Sequence, residues 1–316
     1  MLKCAAKNYN FDRETLQFVA QGRESSKRIY AFTKHGKEYI LRVVNGRHIG
    51  QTRAEMDWLA YLAGKGVSVS APLEAVDGAL TVPAREKGVA CVLSAFSRAQ
   101  GQSWDKNDPN LWNETIFYHW GKVVGDMHRV TKDYKPPEGQ EKRPEYSGFI
   151  RDTVKAFPSV NRAAEELAGA ISRLPKDRDS YGLVHYDMNP YNFLIDGESI
   201  NVFDFDGCTY AWFALDIASA LYTSLWFGRR NDAGRDFTGG IIEYFLKGYL
   251  STNTLDDFWL SKVPMFMRLC QIAKFSHIYH GEDPHDEHQK ERLRNIENGV
   301  LFTGCAIDHP LFGLPY

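Results

Sequence analysis

The sequence predicts an α+β protein of two lobes, a small β-rich lobe with one helix over residues 1–96 and a larger, mainly α lobe over residues 97–316. The prediction rests on paired β-rich runs near the N-terminus, on helical hydrophobic periodicity beyond residue 110, and on one β interruption inside the helical half. Residues 29–33 and 38–44 are β-rich and joined by Lys34-His35-Gly36-Lys37, which supplies a glycine where a hairpin turn needs positive φ. Asp77-Gly78 is a second hairpin signal, and residues 89–96 read as a buried strand. Between them, Met56, Leu59, Ala60 and Ala63 recur at helical spacing. In the second half, residues 112–128, 150–174, 215–227, 237–250 and 262–279 carry apolar faces at three- and four-residue spacing. Residues 182–206 are the β interruption.

Composition narrows the function. With 316 residues, 43% of them hydrophobic and 13% aromatic, the chain can bury a sizeable core and is expected to fold fully. A formal net charge of −2 supplies no overall basic field, so nucleic acid is not an expected partner. The five cysteines are scattered without a C-x-x-C pair, which indicates neither a disulfide framework nor a zinc ribbon. The first ten residues lack an apolar run, so no secretory signal is expected. The apolar stretch 211–227 is short and contains Asp216, so it reads as a buried helix of a cytoplasmic protein and not as a membrane span.

The chemistry concentrates in the β interruption. Two mainly apolar runs, Phe193-Leu194-Ile195 and Ile200-Asn201-Val202-Phe203, flank a polar turn. If residues 196–199 form a hairpin loop, Asn192 and Asp204 are expected opposite each other at its open end, with Cα atoms roughly 5 Å apart. An amide oxygen and a carboxylate are hard ligands that suit Mg²⁺, which takes its other ligands from water and substrate phosphates. Asp187, five residues before Asn192, is placed to accept a proton from a substrate hydroxyl. A base with two metal ligands is what phosphoryl transfer requires.

The pattern His185-x-Asp187-x-x-x-x-Asn192, followed by an apolar run into Asp204, resembles the aminoglycoside phosphotransferase and choline kinase-like family, distant relatives of the protein kinases. The likeness covers most of the chain and implies a bilobal protein kinase-like fold that uses ATP and Mg²⁺. It implies Asp187 as catalytic base, Asn192 and Asp204 as metal ligands, and Asp216 as the carboxylate bracing the catalytic loop. In the small lobe it implies Arg42 as the nucleotide-phosphate contact and Glu55 as its ion-pair partner. The strand ending Leu93-Ser94-Ala95-Phe96 becomes the adenine hinge, which brings Ser94 and Phe96 into the cofactor site. Val124-Gly125-Asp126-Met127-His128 matches the helix end after the hinge. Two departures stand out. Arginine replaces the protein kinases' lysine at position 42, which leaves GTP open beside ATP. The phosphate loop, residues 20–26, has one glycine, leaving Gly22 and Ser25 to cradle phosphate.

Rival readings are weaker. His185-x-Asp187 also suits a non-haem iron triad, but the hundred residues after Asp206 are helical where such enzymes use β-barrels. A nucleotide-binding pseudokinase with a regulatory role is the alternative, against which Asp187, Asn192 and Asp204 are all present. A protein substrate is disfavoured because a helix begins within about ten residues of Asp204, leaving no room for a long activation segment. The expected partner is therefore a small-molecule hydroxyl acceptor: an aminoglycoside-like compound, amino alcohol, amino acid or sugar. Glu243, Tyr244, Asp256 and Asp257 are candidates to favour a cationic one.

Overall fold

The structure is a computed structural model that describes residues 1–21, 27–46, 49–146, 158–281 and 291. In chain order it contains α1 (Leu2–Tyr9), β1 (Gln17–Gln21), β2 (Lys27–Lys34), β3 (Lys37–Asn45), α2 (Ile49–Gly64), β4 (Pro72–Leu73), β5 (Val82–Glu86) and β6 (Val89–Ser97). There follow α3 (Glu114–Thr131), α4 (Pro158–Ile171), β7 (Tyr181–Val184), β8 (Phe193–Asp196), β9 (Ser199–Val202) and β10 (Thr209–Trp212). The chain continues through α5 (Phe213–Gly228), α6 (Thr238–Thr252), α7 (Asp257–Leu260) and α8 (Val263–Gly281). One compact unit comprises Met1–Ser103, Asp133–Arg143 and Asn192–Cys208; the other comprises Trp104–Lys132, Pro144–Tyr191 and the described residues from Thr209 onward.

The first unit is built on an antiparallel sheet of order β1-β2-β3-β6-β4, with β5 also on β6. The β2–β3 hairpin closes as its sequence requires: Lys34 pairs with Lys37, and His35 and Gly36 turn the chain at φ 50° and 74°. Asp77-Gly78 makes a turn but no hairpin. It connects β4 to β5, each of which pairs with β6, and the second hairpin of the sheet is β5–β6, closed by Lys87-Gly88. Strand alternation then sorts side chains between the two faces. Phe32, Leu41, Val43, Leu93 and Ala95 form a core against Ala5 and Tyr9 of α1, a helix that the polar N-terminal sequence did not announce. Ile29, Ile40, Arg42 and Phe96, on the intervening positions, line a cavity.

The β8–β9 hairpin belongs to this unit as well. Its register pairs Asp196 with Ser199 around Gly197-Glu198, so Asn192 sits opposite Phe203, whose N–H donates to the Asn192 carbonyl at 2.9 Å. The expectation of Asn192 opposite Asp204 is one residue off, because a hairpin centred between Gly197 and Glu198 leaves Asp204 beyond the last pair. Backbone bonds fix the hairpin to its unit: Ser70 N–H to Val202 O at 2.9 Å, Val202 N–H to Ser68 O at 3.1 Å, and a reciprocal pair between Gln102 and Ile195 at 2.8 Å. Gly101 makes the last pair possible. It has φ 108°, and a Cβ there would lie 2.2 Å from the Ile195 carbonyl oxygen.

In the second unit, helices occupy the stretches where the 3.6-residue period was read; within 150–174 the described helix is α4, and residues 147–157 lie outside the described set. The apolar stretch is α5, buried along nearly its whole length. No helix among the described residues is long and apolar enough to cross a membrane. The β7–β10 pair, with Val184 opposite Thr209, delivers the chain to the loop that carries Asp187. Replacing Gly101 by alanine is expected to destabilise the protein by about 2 kcal/mol or more, from backbone strain plus a clash that backbone cannot relieve; urea unfolding of Gly101→Ala checks this.

Candidate active site

Within the first unit, Arg42 of β3 and Glu55 of α2 form an ion pair of 2.7 Å, with exposures of 3% and 0%. Cross-strand pairing places Ser94 beside Arg42. Arg42 Nε donates to Ser94 Oγ at 3.2 Å, and the guanidinium lies 5.0 Å from the centre of the Phe96 ring. Four expected cofactor-site residues thus converge. Burial alone would lower the Arg42 pKa, but the carboxylates of Glu55, Asp206 and Asp204 hold it above its ordinary range, so the guanidinium stays charged. Its Nη2 is buried and has no hydrogen-bond partner among the described residues. A phosphate oxygen would satisfy it. The adjoining cavity, about 330 Å³, has Ile29 and Ile40 from the sheet and Leu194 and Phe203 from the β8–β9 hairpin in its wall, with Lys27, Arg42 and Asp204 supplying charge. Apolar walls with a charged cluster suit a flat heterocycle bearing phosphates. The Ser97 and Arg98 amides donate to Ala71 and Glu38, and Ala99, the next residue, also lines the cavity. Gly22 and Ser25 lie outside the described residues.

After β9 the chain turns sharply at Asp204, which has φ 66° and ψ 56°. Aspartate tolerates this left-handed conformation better than most residues, and such strain is characteristic of functional turns. Phe205, 1% exposed, anchors the turn edge-on against Trp58 of α2 at 5.5 Å. Arg143 fastens the rest: Nη2 donates to Asp206 O at 2.8 Å, Nε to Cys208 O at 2.7 Å and Nη1 to Gln51 O at 3.2 Å. The carboxylates of Asp204 and Asp206 both reach Lys27 Nζ, at 2.5 and 3.1 Å. Among the described residues no three His, Cys, Asp or Glu side chains form a self-sufficient metal centre. The carboxylate pair gathered on one cation, with Asn192 at the hairpin's open end, is instead a hard-oxygen set of the kind Mg²⁺ completes with water and phosphates.

In the second unit the Asp216 carboxylate, fully buried on α5, accepts from His185 N–H at 2.9 Å, Tyr186 N–H at 2.7 Å and His128 Nε2 at 3.2 Å. Tyr186 is held at φ 75°, and Asp187, next along, is exposed. Asn189 Nδ2 donates to Asp187 Oδ1 at 2.9 Å, which fixes the carboxylate's orientation. A further α5 side chain holds the loop: Ser219 Oγ donates to Tyr186 O at 3.3 Å, while the Thr223 hydroxyl donates back to its own helix at Ser219 O, 2.6 Å away. Asp216, Ser219 and Thr223 are spaced i, i+3 and i+7, one polar stripe on an otherwise apolar helix. That stripe was legible; Arg143 and Lys27 carried no local signal. Of the acidic residues expected to favour a cationic acceptor, Glu243 pairs with Lys247 at 2.7 Å and Asp256 caps α7.

His128 completes the buried network. Asp216 as a carboxylate can only accept, so His128 Nε2 carries the proton and Nδ1 accepts from Tyr249 O–H at 2.9 Å; Asn253 Nδ2 donates to that same Tyr249 oxygen at 2.8 Å. Burial lowers the His128 pKa, outweighing the opposite pull of Asp216. Burial would raise Asp216, but the bonds from His128 and His185 hold it below its ordinary value.

The architecture of the two units is that of a protein kinase-like phosphotransferase, and the solved structures that resemble this chain agree. An amicoumacin kinase, hAmiN, in complex with AMP-PNP, Ca²⁺ and Ami superposes with a TM-score of 0.87 at 29% identity, covering 99% of this chain and 96% of that one. A microcompartment-associated aminopropanol kinase has the same fold, with a TM-score of 0.73 at 20% identity over 95% and 94% of the chains. The sequence model of the phosphotransferase enzyme family matches residues 15–258, and the chain belongs to that family. It is an enzyme, a phosphotransferase with an alcohol group as acceptor. An amicoumacin kinase of Bacillus subtilis (strain 168) is 34% identical over 319 residues, 95% of this chain and 92% of that protein.

The His128 network carries a pH dependence. Because the folded state holds His128 below its ordinary value of 6.5, the unfolded chain binds the proton first, and this contribution is present above that value and lost as pH falls below it. Asp216, held below 3.8, adds a loss only at more acidic pH. In urea unfolding, the stability advantage of the parent over His128→Gln is expected to shrink between about pH 7.5 and about pH 5.5.

Proposed function

We propose that this enzyme transfers the γ-phosphate of ATP, with Mg²⁺, to a hydroxyl of a small molecule, and that amicoumacin or a close chemical relative is its acceptor. The acceptor rests on the likeness to amicoumacin kinases along nearly the whole chain. The observation that carries the chemistry is the Asp216 carboxylate holding the backbone of His185 and Tyr186, which leaves Asp187 exposed with its carboxylate steadied by Asn189. In this reading Asp187 takes the proton as the acceptor oxygen bonds to the γ-phosphorus. The bond from that phosphorus to the β,γ-bridging oxygen breaks, and ADP leaves. Arg42, charged and fixed by Glu55, faces nucleotide phosphate with its unpartnered Nη2. The purine lies in the apolar cavity against the backbone of residues 97–99. Asn192 and Asp204 would hold Mg²⁺, which would supply neutralisation of phosphate charge. Positioning supplies most of the rate.

Phosphorus-31 NMR of the enzyme with ATP, Mg²⁺ and amicoumacin tests the acceptor: a new phosphomonoester is the expected result, and its absence while homoserine or an amino alcohol is phosphorylated would replace that acceptor. Asp187→Ala is expected to keep nucleotide binding while kcat falls by roughly 10² or more, the scale of a lost general base with its orientation. Asp204→Ala is expected to weaken binding of Mg²⁺-nucleotide as well as turnover; normal values of both would move the metal role to Asp206.

A further inference from the structure

Lys27 is the first residue of β2, and strand alternation puts it with Ile29 on the cavity face, opposite the face that carries Tyr30 and Phe32 into the core. The side chain is 21% exposed, and its ammonium lies 2.5 Å from Asp204 Oδ1 and 3.1 Å from Asp206 Oδ2. The two carboxylates stand on the Asp204–Cys208 turn, which Phe205 and Arg143 anchor, and both meet the one ammonium. The cation offsets the repulsion between them. Arg42 cannot be the mobile one, since its guanidinium is locked by Glu55 and Ser94. Lys27 differs: a compact ammonium on a flexible four-carbon stem, with these two carboxylates as its recorded partners.

From this we infer that Lys27 is a positioning residue that exchanges partners during the cycle. Before nucleotide arrives, its ammonium keeps the Asp204–Asp206 pair gathered and opposes the entry of a bare divalent cation. When nucleotide binds, the ammonium turns to the phosphate oxygens and frees the carboxylates. Lys27 thereby couples metal binding to nucleotide binding, so each favours the other. The inference rests on the proposed role of Asp204 as a metal ligand.

The test is direct metal titration of the full chain, with Mn²⁺ followed by electron paramagnetic resonance, without nucleotide and then with saturating AMP-PNP. Lys27→Met keeps most of the stem and removes the charge. It is expected to bind Mn²⁺ alone at least about threefold more tightly than the parent, and to bind AMP-PNP in the presence of Mn²⁺ at least about threefold more weakly. Lys27→Arg, which keeps the charge, is expected to restore the parent's direction on both. Opposite signs on the two affinities are the signature, because a merely structural loss would weaken both. Unchanged or weaker Mn²⁺ binding alone in Lys27→Met, or unchanged AMP-PNP binding, overturns the inference. Asp204→Asn separates the two levels: if it leaves Mn²⁺-dependent AMP-PNP binding intact, the metal-ligand reading of Asp204 fails; if it weakens that binding while Lys27→Met behaves as the parent, only the role of Lys27 falls.

Discussion

A carboxylate with no exposed surface holds the loop that presents Asp187. Burying the Asp216 charge in a mostly apolar helix would cost several kcal/mol if it were left alone. Instead it collects the His185 and Tyr186 amides and the His128 ring, each donor shorter than 3.3 Å. Those bonds hold the strained Tyr186 backbone in place, and Ser219 continues the attachment one turn along the same helix. The loop is therefore organised from beneath by α5, while its exposed edge carries the Asp187 carboxylate, to which Asn189 donates. His128 has a supporting part in this: neutral because it is buried, it still donates the bond that Asp216 needs.

The first unit solves a related problem by different means. A sheet whose one face is filled by α1 has its other face available, and the period of two along β2, β3 and β6 decides which side chains go there. Arg42 reaches that face among apolar neighbours and remains charged because Glu55 meets it at 2.7 Å. A buried pair of this kind is a poor source of stability but a rigid one, since losing either partner would strand the other's charge. Rigidity suits the phosphate contact proposed for Arg42. Next to it, Lys27 meets Asp204 and Asp206, and the partner exchange inferred for Lys27 rests on the contrast between its long stem and the guanidinium fixed by Glu55.

Much of this was legible in the sequence because it is local. Glycine-bearing turns, period-two strands and the long amphipathic helices declare themselves within a dozen residues, and the H-x-D-x-x-x-x-N spacing marks the catalytic segment. The Asp77-Gly78 turn shows the limit: a two-residue turn signal specifies a reversal, but which strands pair across it depends on β6, which offers both β4 and β5 a partner. The hairpin register shows another. Asn192 and Asp204 were both picked out, yet their pairing differed by one residue because the Gly197-Glu198 turn sets the centre of symmetry. The sequence also did not announce the ion pair of Glu243 or the cap role of Asp256, which the course of α6 and α7 decides.

By itself, then, the amino-acid order determined the α+β class, the helical and strand periods and the candidate chemistry of Asp187, Asn192 and Asp204, since each is encoded by near neighbours. Tertiary structure alone decided what faces what across long separations. Lys27 meets carboxylates 177 and 179 positions away, and Arg143 holds the carbonyls of Asp206 and Cys208, 63 and 65 positions on. A lysine opening a strand and an arginine before a proline have no local period or motif to betray them. Their partners are chosen by the packing that brings distant backbone together, which no short window of sequence contains.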